Sequence, residues 1–207
     1  MKRIDRNKVF CIDNYQYKNF VDLDESETKL VWTWRNDERI RSWMTNNDEI
    51  PFSNHLRFID SLKTREDRFY WLVYKNNTPI AVLDIIDVDY EKEETEPGYY
   101  LNPDLLNSGE GLFLNYNFRN LLFNEVGFKY VKGNIKVGND RAFLLSSFFG
   151  VKAVGVDMFS DGEHLLVKGC RDDFNKVEKK GLLKNFVSYA KSMKIDWDTF
   201  TDSIRRK

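Results

Sequence analysis

Five residues, Asn107-Ser108-Gly109-Glu110-Gly111, stand between a strand-like run that stops at Asn102-Pro103 and an apolar segment that continues to Phe123. Glycines there let backbone pass close to a ligand. Amides exposed at a helix N-terminus bind phosphate through hydrogen bonds and the helix dipole. Taken alone, the same glycines serve equally well in a plain turn. The extended run before them and the helical run after them make the segment a strand, loop, helix unit, and the elements on either side then decide which fold can contain it.

Upstream, Asp24 and Glu27 have the spacing of a capping box, and Leu30, Val31 and Trp34 recur at helical intervals, which predicts a helix to about Arg39. A second amphipathic helix starts near Ser53, with Leu56, Ile59 and Leu62, joined by Phe58, as its apolar stripe and His55, Arg57 and Asp60 on its rim. Trp34 and Trp43 read as core. Phe69 to Tyr74, a turn at Asn76 and Asn77, and Ile80 to Val88 form an antiparallel hairpin, and Tyr99 to Leu101 is a further short strand. Asp84 to Glu96 holds seven acids against Lys92, as a solvated hairpin end does. Downstream, Val131 to Val137 alternates as a strand, with Lys132, Asn134 and Lys136 on its polar face. Asn139 can cap a helix from Asp140 to Phe149, and Val154 to Met158 pairs with Leu165 to Lys168 across Asp161-Gly162. Residues 1–14 have no clear period and fit an irregular lead-in or an edge strand. Residues 171–207 read as two short helices.

Lys and Arg number 32 against 33 Asp and Glu, so no global basic field exists to hold nucleic acid or an anionic membrane. Sixteen Phe and ten Tyr supply bulky groups for a core. Cys11 and Cys170 form no metal-ligand pattern, and the sequence shows neither a charged-then-apolar leader nor a run of membrane-spanning length. These features fit a cytoplasmic protein without a metal.

In this order the elements and motifs resemble the GNAT (Gcn5-related) acetyltransferases over residues 15–169. The family's loop pattern is carried by Leu106 to Gly111, with both glycines in place and the usual Arg or Gln absent at Leu106. Its second pattern is carried by Asn139, Ala142, Leu145 and Gly150, with Ser146 where a Tyr is common. Glu96, Gly98, Tyr99, Leu101 and Pro103 match the strand that leads into the loop. The resemblance implies an α+β fold with a mixed, mostly antiparallel central sheet flanked by helices. Residues 1–170 would be the acetyltransferase domain and 171–207 a C-terminal helical extension able to cover a core edge or make a homodimer. It also implies acetyl-CoA as cosubstrate. Its pyrophosphate would rest on amides around Ser108 to Leu112, within a cofactor set of Leu101, Asn107, Ser108, Gly109, Glu110, Gly111, Leu112, Asn139 and Ala142. The pantetheine arm would lie between the strands that end near Leu101 and Val137.

Trp34-Arg35-Asn36, Trp43-Met44 and His55 to Ile59 with Leu62 look like the nucleotide-sugar N-acetyltransferases of pseudaminic acid biosynthesis. That likeness implies a small-molecule acceptor, an amino sugar nucleotide, beside Arg35, Met44 and His55. For Arg35 a surface ion pair is an equally good reading. Direct attack requires the acceptor ammonium to lose a proton, and the departing thiolate benefits from an acid. Ser146 is a poor acid, and Asn134, where close relatives carry an acid, cannot be a base. Glu96 is therefore expected to be a water-mediated base and Asp84, inside an apolar strand, an acceptor contact. Two other readings remain open: a protein N-terminal or small-amine acetyltransferase, and a noncatalytic acyl-CoA-binding module.

Overall fold

A computed structural model describes residues 3–205. Eight strands form one sheet in the order β1-β2-β3-β4-β5-β6-β8-β7. They are β1 (Phe10–Ile12), β2 (Tyr15–Asn19), β3 (Phe69–Lys75), β4 (Thr78–Asp89), β5 (Glu94–Leu101), β6 (Tyr130–Lys136), β7 (Lys152–Phe159) and β8 (Gly162–Cys170). Every neighbouring pair is antiparallel except β5 and β6. Those two run parallel and pair only at Glu94↔Tyr130 and Thr95↔Val131, so they part from there toward their C-terminal ends. That opening is what the fold contributes to the site.

Strand alternation sorts the core onto two faces. On one face Trp71, Leu83, Ile85 and Leu165 meet α4 (Glu110–Asn120), the π-helical turn Leu121–Val126 and α5 (Asp140–Phe148). On the other, Leu72 and Val82 meet α1 (Glu25–Asn36) and α3 (Phe52–Leu62) through Val31, Trp34 and Leu62. The helix pair covers only the β2 to β5 half of its face. The C-terminal helices α6 (Arg171–Phe174), α7 (Leu182–Ser192) and α8 (Trp197–Arg205) close over α5: Trp197 and Phe200 stand edge-on to Phe143 at 5.5 and 5.0 Å, and Phe186 meets Phe148 at 5.3 Å. No helix among the described residues is long and apolar enough to cross a membrane.

Four sequence expectations change. The first helix keeps its capping box but ends at Asn36, because Asp37 leaves helical geometry and accepts from Arg39 N to open the short helix α2 (Glu38–Arg41). Trp43 is 63% exposed, since the loop after α2 runs outside the helix pair. Leu56 is exposed and His55 is buried, the reverse of the expected stripe and rim. The buried line of α3 is His55, Ile59 and Leu62, one residue round from the reading that began at Leu56, so the imidazole takes an apolar position. The acidic segment is a solvated turn only in its middle, because Asp84 and Glu96 lie within strands on the face that α1 and α3 cover.

Candidate active site

The glycine loop has the predicted form with fewer open donors than expected. Asn107 and Gly109 adopt left-handed backbone, φ 67° and 85°, which suits these two residue types and turns the chain from β5 into α4. The amide of Ser108 is taken by Leu105 O at 3.2 Å, that of Glu110 by Ser108 Oγ at 3.2 Å and that of Leu112 by Gly109 O at 3.2 Å. Among the described residues, the amides of Gly109 and Gly111 keep no partner within the chain. A Cβ at Gly109 meets nothing within 4 Å, and one at Gly111 would only touch Leu101 at 3.7 Å, so the backbone is uncrowded at both glycines. The Glu110 carboxylate is drawn aside by Lys75 Nζ at 2.7 Å and by the Tyr15 hydroxyl, which removes a negative charge from the helix mouth. Asn139 caps α5 through Oδ1, accepting from Ala142 N at 3.1 Å, so these two groups are engaged with each other.

At the parting of β5 and β6 stand two acids on one face of the sheet. Asp84 pairs across the ladder with Gly98, and a Cβ at position 98 would lie 2.8 Å from both Asp84 oxygens, so the missing side chain makes room for the carboxylate. Burial, and then the charge of Glu96, push the Asp84 carboxyl up to about 7, with Arg68 opposing. Glu96 is also raised, by burial and then by Asp87, against the pull of Lys132. Its Oε1 accepts from Asn134 Nδ2 at 3.2 Å. Behind it, Asn134 Oδ1 lies 2.6 Å from His164 Nδ1, and His164 Nε2 lies 3.0 Å from Asp161 Oδ1. Two acids beside the opening, with both carboxyls pushed up by burial, are the equipment of general acid–base chemistry.

No family model matches the chain. The chain is 31% identical over 127 residues, 61% of its length and 72% of the relative's, to the acetyltransferase PseH of Campylobacter jejuni subsp. jejuni serotype O:23/36. The chain belongs to the PseH-like acetyltransferases of the GNAT superfamily. The crystal structure of the Campylobacter jejuni N-acetyltransferase PseH in complex with acetyl coenzyme A superposes with a TM-score of 0.61 at 22% identity, over 76% of this chain and 99% of that one. A spermidine N-acetyltransferase from Vibrio cholerae, solved with CoA and spermine, gives 0.70 at 12% identity over 80% and 100%. These structures share the GNAT fold of α+β type and its mixed, mostly antiparallel sheet.

Within this PseH-like frame the residues named from sequence occupy different parts of the fold. Leu101 and the loop lie at one end of the opening, and Asp84 and Glu96 line its wall. Arg35 stands on α1, its Nη2 donating to Asn46 O at 2.7 Å while Nη1 is buried without a hydrogen-bond partner. Burial lowers the Arg35 pKa, opposed by Tyr100 and Tyr70, the same phenols that neighbour Asp84. Tyr70 and Tyr100 thus lie within electrostatic reach of both Arg35 and Asp84. Met44 is half-buried in the loop after α2. His55 lies behind that wall, bonded to the Thr28 backbone, its pKa lowered by burial and its Nε2 buried without a partner. Ser146 is half-buried on α5, which packs on the opposite face of the sheet from Glu96.

Sequence reading missed His164, Tyr70 and Tyr100. His164 is one of only two histidines, and alternation extended back along β8 from Lys168 through Leu166 places it on the face of Lys132, Asn134 and Lys136. Starting that strand at Leu165 left the histidine in the turn. Tyr70 and Tyr100 carried no such signal, because aromatic residues in strands read as core.

Proposed function

We propose that this acetyltransferase moves the acetyl group of acetyl-CoA to an amine on a nucleotide-linked amino deoxysugar, by direct attack, in a cytoplasmic surface-glycan pathway. The observation that carries the reading is the opening between β5 and β6, with free backbone amides at Gly109 and Gly111 at one end and the Asp84 and Glu96 carboxylates on its wall. Peptide donors at a helix mouth fit a pyrophosphate, and an exposed strand edge fits the amide groups of a pantetheine arm. The amino-sugar acceptor is supported by the likeness to PseH and by Arg35, whose buried, unpartnered Nη1 suits an anionic or carbonyl oxygen.

In this reading the acceptor nitrogen attacks the thioester carbon, the C–N bond forms, the C–S bond breaks, and the electron pair leaves on sulfur. A backbone amide near Leu101 polarises the carbonyl. The proton lost by the acceptor passes, directly or through water, to the carboxylate pair. The charge of Glu96 bears on Asp84, and in this reading the two carboxylates together, rather than Glu96 alone, serve as the base. Ser146, across the sheet, is a weak acid, and solvent protonates the thiolate.

The test is thiol release from acetyl-CoA with a UDP-linked amino deoxysugar as acceptor, compared with spermine and with an N-terminal peptide. Preference for the sugar nucleotide supports the reading. Preference for the amine or the peptide transfers the chemistry to another acceptor, and CoA binding without turnover makes the chain a binding module.

A further inference from the structure

Behind Glu96, on the half of the face that the helix pair leaves uncovered, the polar side chains continue through Asn134, His164 and Asp161. His164 is only 4% exposed, and the Phe159 ring covers it at 4.5 Å. A buried imidazole is costly unless its nitrogens are satisfied, and hydrogen bonds to both of them fix the geometry of their partners. The chemistry of each link determines the next. Asp161 presents only acceptors, so the nitrogen facing it must bring a hydrogen. Asn134 turns its Oδ1 toward His164 Nδ1 at 2.6 Å, an arrangement that a ring nitrogen carrying hydrogen satisfies. With its oxygen engaged by the imidazole, Asn134 has only its NH₂ to turn toward Glu96, and an NH₂ favours the ionised carboxylate. Asn134 stands where an acid would compete for that proton, and here it directs one.

We propose that Asp161, His164 and Asn134 form a chain of hydrogen bonds that holds Glu96 ionised and in one orientation beside Asp84, which makes His164 a positioning residue for deprotonation of the acceptor amine. This deepens the amine-acetylation reading and rests on it. The charged groups around the chain agree with the assignment. Lys136 pairs with His164 across β6 and β8, and its Nζ holds the other Asp161 oxygen at 3.3 Å. Asp157 faces His164 from β7, and Glu163 beside it is held by Arg205 of α8. Around Glu96 itself stand Asp84 and Asp87 of β4 and Lys132 of β6. Two acids against one lysine would favour a protonated Glu96, and the Asn134 donor acts against them. A proton is then left to Asp84, whose carboxyl burial and the charge of Glu96 push up.

The experiment is a carboxyl-carbon NMR titration of the full chain, with thermal melts of every variant. In His164→Leu the Glu96 midpoint should rise by about one pH unit, the size of effect expected for loss of a bond to the charged form. In His164→Asn, which keeps a donor near the Nδ1 position, it should stay near its wild-type value. Asn134→Asp, which adds charge and removes the donor, should raise it at least as far and is read if His164→Leu fails to fold. An unmoved Glu96 midpoint in His164→Leu and Asn134→Asp overturns the proposal. Thiol release with the UDP-linked amino deoxysugar is measured alongside, and the acid limb of kcat should move with the Glu96 midpoint. A shifted midpoint in a protein that never releases thiol supports the chain of bonds and overturns the acetyl-transfer reading instead.

Discussion

Asp84 is where stability and function pull in opposite directions. Its folded-state carboxyl, at about 7, sits above the unfolded value, so the native chain binds a proton that the unfolded chain has released. The sign follows: stability is fullest below the unfolded pKa and falls as pH rises through the window from about 4 to 7. Asp84→Asn removes that penalty, and denaturant melts should show the variant more stable than wild type by up to roughly 4 kcal/mol at pH 8, with the gain vanishing near pH 4. A variant less stable at both pH values would mean that Asp84 is held by partners as an ordinary structural carboxylate. The same substitution should lower turnover, as active-site acids commonly trade stability for function. Glu96→Gln should lower kcat by about 10²- to 10⁴-fold at unchanged CoA affinity, the range of a positioned acid–base group. Ser146→Ala should cost much less, and steady-state kinetics beside calorimetry separates the two. A severe Ser146→Ala with a silent Glu96→Gln would reverse the roles.

At the level of elements, the glycine loop and α5 were legible in sequence because their signals are local. Asn139 and Ala142 cap as spaced, and the loop turns at Gly109. The partition of the loop's amides was not legible, because the bonds that occupy Ser108, Glu110 and Leu112 depend on the 3₁₀ turn Pro103–Leu105 and the loop's own closure. The two glycines therefore make different predictions. Gly109→Val forces a side chain into φ 85° and should damage both loop and ligand binding, whereas Gly111→Ala strains nothing in the chain and should weaken CoA binding alone. Calorimetry with CoA, read against melting temperatures, distinguishes these outcomes. Unchanged affinity in both variants removes the loop from the cofactor site. Residues 171–207 read as helical from sequence, while what those helices pack on was hidden. Trp197 meets Phe143 and donates Nε1–H to Asp140 Oδ1 at 2.7 Å, which ties α8 to the N-terminal turn of α5. Trp197→Ala should thus lower the melting temperature by several degrees, on the order of 2 kcal/mol for a half-buried aromatic contact in a protein of this size.

Across the whole molecule, what sequence could not supply is the assembly of distant segments on one face. Arg35 of α1, Tyr70 of β3, Asp84 of β4, Glu96 of β5, Asn134 of β6 and His164 of β8 converge only through the sheet order and the parting of β5 from β6. His55 shows the opposite error, since a polar residue on a helix reads as rim until packing puts it inside. The central claim is that this surface deprotonates an acceptor amine for attack on acetyl-CoA. Its most direct measurement is the pH dependence of kcat for thiol release with acetyl-CoA and the UDP-linked amino deoxysugar, for wild type and for the Asp84→Asn, Glu96→Gln double variant. The account predicts an acid limb near neutrality in wild type, set by the carboxylate pair. In the double variant that limb should be replaced by a rate that rises with pH toward the pKa of the free amine, because more acceptor then arrives already deprotonated. A double variant that keeps the wild-type limb and rate would contradict it.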